Sequence, residues 1–548
     1  MKKRILAVLI IICMTVLPLT ACGETLGRVK VTGKQDYSYA VFSNGGSTVQ
    51  YGNYVYFING YRGYDDEDAN SNKFGKVVKG ALYRAELNGS SVTKTIETYY
   101  GEKQYKAFVP ASVAETELDF LSTKETFVDG YEKDENGEFI KDEDGNYIET
   151  THEDDVINVQ VIAPKTIGSS GYSDGGIFIY DNFVYYASPS NLKNKSGEVE
   201  VNKNIFYRTK LDGSLTEKIY SSSHETNDSA YSFYKQGDSV YLTVLDGTDV
   251  VSVRMTEKKI SKKLIIAQDV EDVYFPEREV YFDGIGTNGA EDFVYITRAI
   301  DENDTVRSGK VIEIMRPSGE ERIELIKNGK DVAVMGVDNG YLFYKIDGDV
   351  SDEIRYTNLH DALTTIDPDT NEAFGPSYAA APQNVAEENG IVLSVENMSD
   401  FSEVHCFRPN VKSNQTYALC VAGSKVTIYC NNQGNVIYTD SASVLKIDSS
   451  KNIVYFNSSS NLYSMNLYDG SGLMSYTSTM SLNVTYTFDT FGEYIVYYTS
   501  VDDYAADYAV VHKLGDAENK FIGKKINDDI YDPSVELEEG TEEEEEEE

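Results

Sequence analysis

From Thr48 to Phe521 the chain alternates short runs of β-branched and aromatic residues with Gly, Asn and Asp turns. Helix-length amphipathic windows are few, so the pattern predicts strands throughout. One unit recurs: a polar turn, an apolar triplet, a variable turn, then a second apolar strand that closes on Gly. Gly52-Asn53-Tyr54-Val55-Tyr56-Phe57 is answered by Ala81-Leu82-Tyr83-Arg84-Ala85-Glu86-Leu87-Asn88-Gly89-Ser90. Asp181-Asn182-Phe183-Val184-Tyr185-Tyr186 is answered by Ile205-Phe206-Tyr207-Arg208-Thr209-Lys210-Leu211-Asp212-Gly213-Ser214. A third full copy runs from Asn452 to Ser471, and weaker ones begin at Asp238, Asp292, Asn339, Asn389 and Glu493. The central residues are Tyr56, Tyr185, Tyr241, Tyr295, Phe343, Val392, Tyr455 and Tyr497. Successive steps lie between 42 and 63 residues, once residues 101–171 are set aside as an insertion after the first copy.

A period near 40–50 residues with several short strands per unit marks propeller blades. One small sheet cannot bury both faces, but radially stacked neighbours bury each other. The expected fold is therefore an all-β propeller of seven or eight blades with a β-hairpin insertion. The unit also resembles the propeller repeat related to the YWTD modules of low-density-lipoprotein receptors, found in bacterial surface proteins of unassigned function. The resemblance spans most of residues 48–522 and implies blade geometry. The motif itself is altered here to Val55-Tyr56-Phe57-Ile58-Asn59 and Val496-Tyr497-Tyr498-Thr499-Ser500, with no Trp anywhere.

Residues 1–21 read as an export signal: Lys2, Lys3 and Arg4, then an uncharged apolar stretch from Ile5 to Leu19. The stretch is shorter than the ~20 residues a spanning helix needs. Leu19-Thr20-Ala21-Cys22 resembles the lipobox of bacterial lipoproteins, which implies a diacylglycerol on the Cys22 thiol and cleavage before it. Residues 22–46, with five Gly, read as a flexible membrane-proximal spacer. The propeller is expected over 47–523, and a disordered acidic tail over 524–548, which ends in seven consecutive Glu. The expected location is extracytoplasmic, lipid-anchored to a bacterial cell membrane, as a monomer.

The formal charge of −41 argues against nucleic acid as a partner, because phosphate binding draws on Lys and Arg. Five Cys in 548 residues frame no disulfide scaffold. Cys406, Cys420 and Cys430 read as strand thiols, with one disulfide among them left open. Most of the 43 Tyr read as packing residues whose hydroxyls reach a rim or a partner. In the insertion, Asp134-Glu135-Asn136-Gly137 and Asp142-Glu143-Asp144-Gly145 predict a meander of two hairpins. No cofactor is expected. Calcium is raised by Asp66-x-Asp68-x-Asn70 and Asp142-x-Asp144-x-Asn146, but position six is Ser71 or Tyr147 where a calcium loop needs Gly. There is no Gly-x-Ser-x-Gly elbow, and His152 lacks the second His of a zinc peptidase helix. No catalytic residue is assigned. The expected role is a binding or scaffold module for a cell-envelope protein, peptide or glycan. The alternative is a propeller-type glycoside hydrolase or polysaccharide lyase with paired carboxylates.

Overall fold

A computed structural model describes residues 38–59, 81–98, 101–113, 119–120, 123–131, 133–134, 140–141, 149–156, 176–189, 204–212, 215–224, 231–276, 278–281, 290–300, 309–320, 322–326, 331–348, 350–359, 365–366, 373–374, 390–459, 461–476, 485–491, 493–499, 508–513 and 520–522. Eight antiparallel sheets of four or more strands follow one another along them. Blade 1 runs from Thr48–Tyr51 to Asp119–Phe120, blade 2 from Phe178–Tyr180 to Thr216–Ser221, and blade 3 from Tyr231–Gln236 to Leu264–Ala267. Blade 4 runs from Asp272–Tyr274 to Ile323–Ile326, and blade 5 from Val332–Asp338 to Ile391–Val395. Blade 6 runs from Glu403–Phe407 to Gln433–Tyr438, blade 7 from Ser443–Asp448 to Met474–Ser475, and blade 8 from Thr485–Phe491 to Lys520–Ile522.

The apolar clusters show how these sheets close into a ring. One cluster joins blades 1, 2 and 3. Others join blades 3 and 4, 4 and 5, 5 and 6, 6 and 7, and 7 and 8. The circle is completed where Thr485–Phe491 packs on Thr48–Tyr51, and Tyr508–Lys513 on Tyr54–Asn59. The molecule is thus an eight-bladed β-propeller. Its strands read as continuous apolar runs for a physical reason. Alternate side chains point to opposite faces, and both faces of a blade are covered. Tyr54, Val55, Tyr56 and Phe57 are accordingly all buried. Local turn chemistry agrees with the sheet order. Asn339 and Gly340 take φ of 45° and 80°, as a two-residue turn matched to strand twist requires.

Tyrosine hydroxyls and short polar side chains tie neighbouring blades at their backbones. Tyr180 donates to the carbonyl of Phe233 at 2.7 Å, and Tyr234 to that of Phe293 at 3.4 Å. Ser252 donates to the carbonyl of Pro317 at 2.5 Å, and Asn435 to that of Tyr468 at 3.0 Å. The apolar ring of each Tyr fills the interblade layer while its hydroxyl satisfies a carbonyl of the next blade.

Three sequence expectations meet a different arrangement. Tyr56, Tyr185, Tyr241, Tyr295, Phe343, Tyr455 and Tyr497 each lie on the second strand of a blade, but Val392 does not. It lies on the outer strand of blade 5, where Leu393 pairs with Ile354. The second strand of blade 6 is Tyr417–Ala422, which no Asp or Asn turn immediately precedes. The Asn88-Gly89-Ser90 turn is also absent. Ala81–Thr98 passes straight through it and pairs with Gly101–Val113 as far as Thr98 and Gly101. Gly89 marks a bulge there, where a Cβ would stand 2.1 Å from the carbonyl oxygen of Val109. Finally, Val41–Asn44, within the stretch expected as spacer, is a strand paired on both edges.

Candidate functional site

A ring of eight blades leaves a wide axis, and this chain fills it with backbone. The first strand of a blade lines the axis, as the contacts of Thr48–Tyr51 with Phe178–Tyr180 and Thr485–Phe491 show. In blade 1 the sheet continues inward past that strand. Val41–Asn44 pairs with Thr48–Tyr51, and Arg278–Tyr281 pairs with the far edge of Val41–Asn44. Arg278–Tyr281 belongs to the connection between the first two strands of blade 4. Two extra strands therefore bridge the axis from blade 1 toward blade 4. Asn44 fixes this insert by imitating a strand: its side chain accepts from the Ile179 amide at 2.7 Å and donates to the Ile179 carbonyl at 3.3 Å. Gly45 donates to the Ile177 carbonyl at 2.7 Å, and Ser43 donates to the Thr490 carbonyl. The insert is tied to blades 2 and 8 as well as to its own blade.

The long hairpin of Ala81–Thr98 and Gly101–Val113 then crosses this end of the axis. Gln50 donates to the Phe108 carbonyl at 2.8 Å, and the Ala40 amide to the Lys106 carbonyl at 2.9 Å. Phe42 meets the Tyr105 ring, and Tyr39 the Phe108 ring, each with centroids 6.3 Å apart. Near the hairpin tip, Glu97 accepts from Lys412 of blade 6 at 2.8 Å. The hairpin leaves blade 1, covers the axial insert and touches the opposite side of the ring. One face of it, with Ser91, Thr93 and Thr95, is open to solvent.

Both partners of the Lys412–Glu97 contact are well exposed, so the pair is a latch with little hold on the fold. Lys412→Glu is expected to leave the thermal midpoint nearly unchanged. It should speed amide exchange and proteolysis between residues 94 and 105, and high salt should do the same to the wild type. A variant with unchanged exchange in that segment would show that the latch holds nothing.

Three acids of the blades, Asp246, Glu403 and Asp448, serve as clamps. Asp246 ends the second strand of blade 3 and is buried. It accepts from Tyr220 Oη at 2.5 Å, the Ser223 amide at 2.9 Å, the His224 amide at 2.9 Å and His224 Nδ1 at 3.1 Å. Burial alone would raise its pKa; these donors outweigh it and hold the carboxyl below the usual range. Glu403 of blade 6 accepts from the Val444 amide of blade 7 at 2.8 Å and is held low in the same way, against burial, by His405 and Val444. Asp448 is held low against burial by Lys451. Tyr220 is pushed up, first by burial and then by its bond to Asp246, so it remains a donor. Cys406, Cys420 and Cys430 are free thiols. Burial raises all three, Cys420 to about 12, which keeps them protonated near neutral pH.

Cys22 lies outside the described residues, as do Asp66, Asp68, Asn70, Asp142, Asp144 and Asn146. Among the described residues no group of three His, Cys, Asp or Glu is placed to hold a metal, and no helix is long and apolar enough to cross a membrane. The two Asp-x-x-Gly sequences fall in the connection between Thr123–Tyr131 and Glu149–Val156, which pair with each other as one hairpin. Sequence reasoning missed the axial insert, the latch and the Asp246 clamp. Only the paired Gly45-Gly46 turn after Val41–Asn44 hints at the first.

No known protein family and no curated protein matches the chain. Similar solved structures include oligopeptidase B from Leishmania major, at 10% identity and a TM-score of 0.36, over 64% of this chain and 48% of that one. TolB from Acinetobacter baumannii is similar at 10% identity and a TM-score of 0.27, over 54% of this chain and 63% of that one. The β-propeller domain of the trilobed protease from Pyrococcus furiosus is similar at 9% identity and a TM-score of 0.29, over 71% of this chain and 91% of that one. The chain spans less than half of the oligopeptidase and less than two thirds of TolB.

Proposed function

We propose that this protein is a bacterial surface lipoprotein, tethered outside the cell through Cys22, whose propeller is a binding or scaffold module related to the YWTD-type repeats. Its ligand would be an envelope protein, peptide or glycan that contacts the hairpin-covered end of the ring. The observation that carries the reading is the filled axis. A rigid eight-bladed body with backbone across its centre presents a broad surface, and broad surfaces recognise macromolecules. The hydroxyl-rich face of the long hairpin, with Ser91, Thr93 and Thr95 exposed, is suited to hydrogen bonding with such a partner.

The tether is tested at its thiol. Cys22→Ala is expected to abolish incorporation of an alkyne-tagged fatty acid and to leave unprocessed precursor or protein in the medium. A variant that still takes up the label would remove the anchor from the reading. The binding face is tested by comparing retention of wild-type protein and a variant with Ser91, Thr93 and Thr95 all replaced by Lys on immobilised, delipidated envelope. Equal retention would move the ligand away from the hairpin.

A further inference from the structure

In a chain of net charge −41, residues 257–266 read Glu-Lys-Lys-Ile-Ser-Lys-Lys-Leu-Ile-Ile, with four cations and one acid. Lys259–Ile260 and Leu264–Ala267 both pair with Asp249–Thr256 and form the outer edge of blade 3. Lys258, Lys259, Lys262 and Lys263 are all exposed. Beside them Leu264 is 55% and Ile265 43% exposed, among the most exposed large apolar side chains described. Across the seam, Lys263 Nζ lies 5.5 Å from the ring of Tyr220 on the outer strand of blade 2. The patch is held rigidly. Arg208 donates to the Thr256 carbonyl at 2.7 Å, Ile260 packs on the core of blades 1–3, and Ile266 covers Gly319 of blade 4.

Lysines on an edge strand guard against pairing with another sheet. That role accounts for the cations but not for Leu264 and Ile265 standing open next to them, which edge protection would avoid. Ammonium groups flanking exposed aliphatic side chains match the surface of an anionic bilayer. Its phosphates face the lysines, and its acyl boundary accepts the Leu and Ile. The chain's own glutamate tail complements the charge and offers nothing to the apolar pair. The distance is also within reach. From Cys22 to Ser38 an extended chain spans about 55 Å, more than the way from the axis of a propeller to its rim.

We infer that the outer edge of blade 3, through Lys258, Lys259, Lys262, Lys263, Leu264 and Ile265, docks on anionic phospholipid. The contact would hold the tethered ring rim-down on its own membrane. The proximity it assumes rests on the Cys22 anchor.

The absence of Trp supplies the test. Full-length Ile265→Trp carries a single indole at an exposed position and is mixed with excess vesicles of phosphatidylcholine, with or without phosphatidylglycerol. Emission is expected to shift to the blue, and to be quenched by brominated acyl chains, only when phosphatidylglycerol is present. High salt, or Lys258, Lys259, Lys262 and Lys263 all replaced by Glu, should weaken the response about tenfold or more. The salt arm needs no variant, so a misfolded quadruple mutant does not remove the test. Identical emission with both vesicle types overturns the proposal. So does a shift without vesicles that disappears on removing residues 536–548, which would assign the patch to the tail. Flotation of wild-type protein with vesicles of phosphatidylcholine alone reports the anchor, so either reading can fail without the other.

Discussion

Arg208→Ala is expected to destabilise the propeller by about 2–4 kcal/mol, read as a lower denaturant midpoint with an unchanged slope. The Arg208 side chain is 1% exposed, so its charge is not solvated by water. It is met instead by Glu217, with Nε donating to Oε2 at 2.7 Å, by the Thr256 carbonyl at 2.7 Å and by the Phe183 ring, 4.5 Å from the guanidinium. Truncation removes the stem from the ring and strips a donor from a carbonyl of blade 3. It also leaves Glu217 beside an apolar gap. Glu217 is about a third exposed, so water softens its share, which keeps the figure below that of a fully enclosed pair. Arg208→Met separates the contributions: it keeps the stem over Phe183 and loses the fork, so about half of the loss should return. Arg208→Lys should rescue little, because a single ammonium cannot serve a carboxylate and a carbonyl of the next blade in the same fork. An alanine variant within about 0.5 kcal/mol of wild type would show that the seam between blades 2 and 3 does not depend on this residue.

Asp246→Ala should cost a similar amount, about 2–4 kcal/mol, because two backbone amides, the Tyr220 hydroxyl and His224 all lose their acceptor at once. Asp246→Asn keeps the shape and one carbonyl-type acceptor, so the loss should be roughly half. The sign of the pH dependence follows from the depressed carboxyl. A group with a folded pKa below its unfolded value stabilises at pH above that unfolded value, and the stability is lost as pH falls through the folded pKa. Wild-type stability should therefore hold near neutrality and drop below about pH 4. Asp246→Asn should show a shallower drop over the same range. Some slope should remain, because Glu403 and Asp448 are depressed too. Equal acid slopes in wild type and Asp246→Asn would remove Asp246 as a clamp.

Much of the blade architecture was legible because blade burial leaves a local record. A strand covered on both faces must be apolar without interruption, as Tyr54-Val55-Tyr56-Phe57 is, and each such run ends at a tight turn with its own residue demands, as Asn339-Gly340 shows. Legibility failed where an insertion imitated the repeat. The segment before Val392 carries Asn389-Gly390, and it feeds an outer strand of blade 5, while the true second strand of blade 6 at Tyr417–Ala422 lacks an Asp or Asn turn just before it. It failed again at Gly89, where the residues that close a turn elsewhere form a bulge, because a pairing partner at Val109 and Pro110 was available. The Lys258–Lys263 cluster lies in plain view in the sequence, yet only its place on an outer edge makes it a surface.

What the sequence determined by itself was the kind of object: repeated strand units and their approximate period. Those features are written in neighbouring residues, because strand alternation and turn conformation are read over a few positions. The tertiary structure alone decided what fills the middle and what crosses it. Val41–Asn44 meets Arg278–Tyr281, and Glu97 meets Lys412, across hundreds of residues. Short segments such as these have no pattern that names a partner; they pair because ring closure brings their backbones to one axis and leaves hydrogen-bonding groups there that must be satisfied.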